Sequence, residues 1–446
     1  MNRLAPAAAA AALAAATGAQ DAPRSIDVYF GDRPREYKVA RFGPDTFPTP
    51  ALAFRAAKIL PLDGPPIRDG VVLCRDKKIV AVGRAADVPI PTDYEVLDLG
   101  DRWIVPGLID LHCHVASVGF DLNDTVHSTN PEFRTIDLIT TDHPRLKNAL
   151  AGGVTTVLYI PGSGSNMGGF GTLTKTHGAP EEALVRFPGS LKIAQAGNPE
   201  RRAGDLGSGR MGMNQGLRFA LRRGYEYYRA WEDFDAGRGP EPDLQPDLEY
   251  LRGLFRHEYP VTVHTQIYQV VLETLRQLRS ELGLWTVIDH GTFDAYRLSE
   301  DAAELGVPVC NGPRQYYFDR STGQMVGLAA AWYSGGLHGW QEEVRGVGRD
   351  GIAVNTDSPV IAQEQLTVQA AMAVRLGLPW EVGLRAITSN PAHFVGIDDR
   401  VGTLTPGKDA DLGVWTGDPL DPRSHVEMTV CNGRIAYRRE DGRPRF

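Results

Sequence analysis

Apolar and polar positions change their rhythm twice along this chain. Over 51–103 the apolar runs are short and separated by turn residues: AFRAAKILPL, then 70–74, 78–83 and 95–99. That rhythm predicts the strands of a small β-sandwich rather than helices. The far end has the same texture. Residues 411–415 and 426–431 are strand-length runs, and the second leads through Asn432-Gly433, a strong hairpin signal, into 434–437. Two all-β pieces around a different middle predict one composite domain, formed by 21–104 together with 398–446. Between them, 105–397 alternates strand-length apolar runs with amphipathic helical stretches, the pattern of a parallel sheet with helical crossovers. The strand candidates are 107–112, 153–160, 171–176, 190–195, 260–265, 285–290, 306–311 and 351–356. Eight βα units in roughly 290 residues predict an α/β chain built on a (β/α)8 TIM barrel, with its chemistry at the C-terminal strand ends.

Composition narrows the partners. With 446 residues, 42% of them apolar, the chain can bury a large core in two or more domains. A net charge of -8 and the lack of any Lys/Arg-rich run argue against nucleic acid, leaving a small-molecule substrate as the expected partner. No stretch after the first twenty residues is long and apolar enough for a membrane span. Residues 1–20 carry Arg3, an Ala-rich run and small residues at 18–20, which together resemble a secretory signal peptide. A cleaved leader would make the protein periplasmic or secreted; without one it would be cytoplasmic. Residues 21–50 read as an extended lead-in. Cys74, Cys113, Cys310 and Cys431 have no metal-finger spacing, and free thiols are expected, with a Cys74–Cys431 bridge as the alternative. A homo-oligomer is compatible with all of this.

The candidate chemistry sits where apolar runs end. In VPGLIDLHCHV, 105–115, Pro106-Gly107 breaks the preceding strand and Leu108, Ile109 and Leu111 deliver His112-Cys113-His114 to a strand end. Side chains alternate across a strand, so His112 and His114 share a face and can share a divalent metal. Alone, such a pair is as easily two polar residues in a turn. The runs ending VTVHTQ and VIDHG place His264 and His290 likewise, and IAVNTDSP places Asp357 just beyond the eighth run. Each histidine singly reads as a hydrogen-bonded structural residue, and the aspartate as a helix cap. Together, at equivalent places, they read as a ligand set.

PGLIDLHCH, followed in order by His264, His290 and Asp357, resembles the amidohydrolase superfamily over about 51–440, and TLTPGKDADLGVW resembles the entry to that family's second β segment. The resemblance implies that His112, His114 and Asp357 hold one metal and His264 and His290 a second, zinc being the first choice for such donors. It also implies a bridging, carboxylated Lys192. The text around Lys192 is similar to imidazolonepropionase-related and prolidase-like members, except that Ala196-Gly197 stand where a Glu is expected. A bare ammonium in the apolar run 190–195 would be costly to bury, and a carbamate would remove that cost. Lys175 is the other candidate bridge. The implied reaction is C–N hydrolysis: two cations lower the pKa of water from about 15.7 toward neutrality, and Asp357 carries the proton to the leaving nitrogen.

Dipeptides, N-acyl amino acids and small cyclic amides are the implied substrates, with Arg314 and Tyr316, after the seventh run, as substrate-binding candidates. Arg314 would suit a carboxylate. A mononuclear deaminase is the nearest rival, but its proton-shuttling Glu, three residues after the strand-five His, is replaced by Ile267. A non-catalytic barrel scaffold would have lost ligands that this chain keeps. A lactonase would use the same hydroxide. The glycine-rich 162–169 lacks a Lys-Ser/Thr ending and reads as a loop lining the mouth rather than a phosphate loop. The long connection 196–260 reads as either a substrate lid or an exposed crossover.

Overall fold

The computed structural model describes residues 40–41, 46–117, 122–124, 126–195, 197–201, 209–339 and 350–441. The leader lies outside the described residues, as does most of the lead-in. Strands follow in chain order: β1 Ala40–Arg41, β2 Leu52–Ile59, β3 Ile67–Arg75, β4 Lys78–Arg84, β5 Glu95–Asp98, β6 Trp103–Pro106 and β7 Leu108–Cys113. Then come β8 Val154–Tyr159, β9 Met167–Phe170, β10 Thr172–Lys175, β11 Leu184–Phe187, β12 Leu191–Ala194, β13 Val261–Thr265 and β14 Thr286–His290. The last are β15 Val309–Asn311, β16 Tyr316–Asp319, β17 Gln324–Gly327, β18 Ile352–Val354, β19 Leu412–Trp415, β20 Val426–Cys431 and β21 Arg434–Arg438.

Both ends of the chain build one eight-stranded sheet, ordered β21-β20-β19-β6-β2-β3-β4 with β5 beside β2. β19 runs antiparallel to β6, with Leu412 opposite Pro106 and Trp415 opposite Trp103. Phe54, Val72, Ile104, Leu412 and Val430 pack in its core. Gly107 carries the chain from β6 into β7, where a Cβ would collide with the Thr155 side chain. The Pro-Gly pair is therefore a close approach as well as a strand break.

The middle of the chain supplies seven parallel strands. β7 pairs with β8, while β12, β13, β14, β15 and β18 pair in that order. Their residues are buried along their whole length, as strands covered on both faces must be. The two groups meet where Cys113 bridges Ser358 in parallel and the His114 N–H donates to Ser358 O at 2.9 Å.

The third strand departs from expectation. Residues 171–176 were predicted to run parallel after a helical crossover, but β10 lies antiparallel to β8 and β9 antiparallel to β12. Residues 160–171, between β8 and β10, hold the short strand β9 and no helix, so no helical crossover returns the chain to start a parallel strand. The reversal also decides the fate of Lys175. The end of an antiparallel strand lies beside the beginnings of its parallel neighbours, and Lys175 is opposite Thr156 near the start of β8. There its Nζ pairs with Asp411 at 2.5 Å and Asp409 at 3.3 Å, fully buried. Lys78 and Arg400 reach Asp409 at 2.9 Å and Lys77 at 3.8 Å. Lys175 thus pins the terminal sheet to the middle of the chain and is no metal bridge.

The helix Arg210–Asp235 takes in the aromatic stretch of the long connection, burying Leu217, Leu221, Tyr227 and Trp231 at helical spacing. These pack with Ile193, Val261 and Val263 of β12 and β13. All four cysteines are free and buried.

Candidate metal centre

The ligand candidates converge from separate strands. His112 is the penultimate residue of β7 and His114 follows that strand; His264 lies in β13, His290 ends β14, and Asp357 comes three residues after β18. His112 Nε2 and His114 Nε2 each stand 3.4 Å from Asp357 Oδ1. Among the described residues, these three form a group whose ligand atoms all lie within 4.8 Å of one another. His264 Nδ1 and His290 Nε2 are 2.8 Å apart. Lys192, near the start of β12, reaches up to stand 3.3 Å from His112 Nε2.

Backbone geometry makes this convergence possible. His290 has φ 71° and Asp357 φ 50°, the left-handed region that residues with a Cβ seldom adopt. On a regular strand, Asp289 and His290 would face opposite sides. The left-handed backbone at His290 breaks that alternation, and the Asp289 carboxylate and the His290 ring both approach His112.

Hydrogen bonds fix which ring nitrogens are free. His114 Nδ1 lies 3.0 Å from Ile160 O and His290 Nδ1 2.6 Å from Gly312 O. A carbonyl only accepts, so in each ring Nδ1 carries the proton and Nε2 offers its lone pair to the cluster. Burial, then the positive charges of Lys192 and the neighbouring imidazoles, hold His112 far below the usual imidazole range. Burial also brings His290 down to about 4, with Asp357 opposing. Imidazoles with directed lone pairs around a carboxylate are the donor set that a divalent cation requires. Burial alone would raise the Asp357 carboxyl, but neighbouring positive charge, that of Lys192 included, outweighs it and holds the group below its ordinary value. Burial lowers Lys192, with Asp289 and Asp357 opposing.

A cavity of about 650 Å³ opens beside this cluster, lined by His114, His264 and Asp357 together with Asn123, Arg145 and Ser163. Ser163 Oγ lies 2.9 Å from His264 Nδ1, so the glycine-rich loop after β8 lines the mouth and touches a ligand candidate. Arg314 and Tyr316 do not line this cavity. Arg314 lies over the Phe293 ring at 5.1 Å, and Tyr316, half exposed, begins the β16–β17 ribbon. The sequence reading missed Arg145, because a short helix starting at Pro144 carries no strand-end signal.

It also missed two buried acids. Asp110 receives hydrogen bonds from Thr356 Oγ1 at 2.5 Å, Gln363 Nε2 at 3.2 Å and the His112 N–H at 3.2 Å, tying β7 to the segment that carries Asp357. Burial lifts its pKa to about 6. Asp289 is fully buried, with Oδ2 3.2 Å from His112 Nδ1 and 3.6 Å from Lys192 Nζ. Burial lifts its pKa to about 7, with Lys192 opposing.

Comparison with known proteins agrees with this geometry. The profile described as Amidohydrolase family matches residues 281–437. The crystal structure of an amidohydrolase from Thermotoga maritima MSB8 superimposes with a TM-score of 0.75 at 30% identity, covering 87% of this chain and 100% of that one. The chain belongs to the amidohydrolase family, and it is a hydrolase acting on carbon–nitrogen bonds. An imidazolonepropionase of Caulobacter vibrioides is 27% identical over 390 residues, 78% of this chain and 88% of the relative. Amidohydrolase tasK of Hapsidospora irregularis is 26% identical over 361 residues, 74% of this chain but 36% of that protein. The chain thus spans about a third of the tasK length. No helix among the described residues is long and apolar enough to cross a membrane.

Proposed function

We propose that this protein hydrolyses an amide, peptide or cyclic amide bond in a small substrate at a centre of two divalent cations, zinc in the first instance. The observation that carries this reading is the split orientation of the histidines. His112 and His114 turn Nε2 toward Asp357, while His264 Nδ1 and His290 Nε2 face each other at a second point. Two ions would satisfy these groups more compactly than one, and Lys192 stands beside the first of them. In its carboxylated form Lys192 would bridge the two points. The underlying architecture is read as a (β/α)8 barrel over 105–397, its third strand reversed, with 21–104 and 398–446 forming the composite β domain.

When bound, the cations would polarise the scissile carbonyl and lower the pKa of water at the site. The remaining steps belong to the chain. Asp357 lies at the cavity wall, ionised and 3.4 Å from His114 Nε2, positioned to accept a proton from the attacking water and return it to the leaving nitrogen. Arg145 lines the same cavity and would hold a substrate carboxylate bidentately, the part first given to Arg314. Deamination has less support, since Ile267, three residues beyond His264, offers no proton. A dipeptide, N-acyl amino acid and cyclic amide panel, assayed before chelation, after it, and after zinc is restored, tests the reading. Hydrolysis of at least one class, abolished and then recovered, is expected; ammonia release from an aminopurine or aminopyrimidine instead would overturn it.

A further inference from the structure

We infer that Asp289 is a positioning residue for His112, holding its Nδ1–H so that Nε2 points into the metal cluster. The inference rests on the metal-centre reading for its consequence, but its geometry stands apart from it. Two of the four histidines show a pattern. His114 and His290 each have Nδ1 against a backbone carbonyl, Ile160 O and Gly312 O. His112 has no carbonyl there. Its Nδ1 is buried without a hydrogen-bond partner, and the nearest acceptor is Asp289 Oδ2 at 3.2 Å. Both Asp289 oxygens are likewise buried without a hydrogen-bond partner. Two orphaned polar groups in contact, at no water-accessible surface, are a costly arrangement unless they serve each other. A small rotation of either side chain closes the bond.

The competing role for Asp289 is as counter-ion to Lys192. Lys192 Nζ is farther, at 3.6 Å, and its hydrogen bond goes to His112 Nε2 at 3.3 Å. A carboxylate can only accept, so a bond from His112 Nδ1 fixes the tautomer that leaves the Nε2 lone pair for a cation. Partners of this kind to ligating histidines are worth about 10–100-fold in metal affinity. The left-handed turn at His290 is what lets a strand present both the ligand and, one residue earlier, the acid that orients another ligand.

The test has two arms. In the metal-free full-length protein, proton NMR should show a strongly downfield exchangeable resonance that disappears in His112→Gln and in Asp289→Ala but persists in Lys192→Met. In parallel, zinc affinity measured by chelator competition should fall about 10–100-fold in Asp289→Ala and less in Asp289→Asn, which keeps an acceptor. That fall should be the same in a Lys192→Met background. A resonance that survives Asp289→Ala, or that wild-type protein lacks, overturns the inference, as does an affinity loss that vanishes when Lys192 is replaced. If no variant binds zinc, the metal-centre reading fails while the resonance still decides the role of Asp289. Should Asp289→Ala fail to fold, Asp289→Asn decides it: a neutral acceptor weakens the bond and moves the resonance upfield, and a resonance that does not move overturns the inference.

Discussion

At the scale of single residues, the centre depends on two backbone conformations that side chains disfavour, at His290 and Asp357. Strain of about 1–3 kcal/mol per residue persists only where surrounding contacts over-determine it. Here Gly312 O takes the His290 ring and His114 contacts the Asp357 carboxylate. Replacing Asp357 with Asn keeps the shape and removes the proton carrier, so kcat for amide hydrolysis should fall about 10²–10⁴-fold, with far-ultraviolet circular dichroism unchanged. A loss of less than threefold would remove Asp357 from the reaction. His112, His114, His264, His290 and Asp357 were legible in the sequence because each stands at the end of an apolar run. Asp289 was not, because strict alternation sends it away from His290, and only a positive φ reverses that. Arg314 illustrates the opposite failure. A guanidinium after a strand end reads as substrate-facing, yet Phe293 offers it an aromatic face instead.

At the scale of elements, the reversed third strand separates two lysines that the sequence could not rank. Both lie in short buried runs, but Lys192 is on a parallel strand that leads to the centre and Lys175 on an antiparallel strand that leads away. The lack of a helical stretch between 160 and 171 was the available clue, and it was hidden by reading 171–176 as an isolated run. The Lys175 cluster has an energetic signature. Removing one partner of a fully buried ion pair costs about 3–5 kcal/mol, because the other charge is left uncompensated. Lys175→Met should therefore lower the urea midpoint markedly while zinc binding by the folded protein is retained. Lost zinc binding with unchanged stability would restore Lys175 to the metal site.

The same cluster predicts a pH response. Burial alone would raise Asp409, but Lys175, Arg400, Lys77 and Lys78 together hold it far below the ordinary carboxylate range. Its stabilisation is complete above the unfolded pKa of about 3.9 and is lost as pH falls from there toward the folded value. The urea midpoint of wild-type protein should drop below about pH 4, and the drop should be shallower in Lys175→Met. Equal slopes in the two proteins would contradict this assignment.

At the scale of the whole molecule, the two chain ends are one structural unit with the middle. β19 closes against β6, Thr429 Oγ1 donates to Leu150 O at 2.6 Å, and the Asn432 N–H donates to Asp411 Oδ1 at 2.7 Å beside the Lys175 cluster. The repeated texture of 51–103 and 411–437 made the shared sheet legible; its attachment through buried charges was not, because partners so distant in sequence leave no local pattern. Truncation after residue 410 would expose the β6 edge and remove Asp411, so the shortened chain should lose cooperative thermal unfolding by circular dichroism. A truncated chain that still melts cooperatively at the same temperature would show that the middle folds without its terminal sheet.

The proposed chemistry turns on cations held by His112, His114, Lys192, His264, His290 and Asp357. Elemental analysis of the purified full-length protein, dialysed against zinc and then against metal-free buffer, measures this directly. About two zinc ions per chain are expected, falling to about one in His264→Ala/His290→Ala. Wild-type protein that retains no divalent cation would contradict the account.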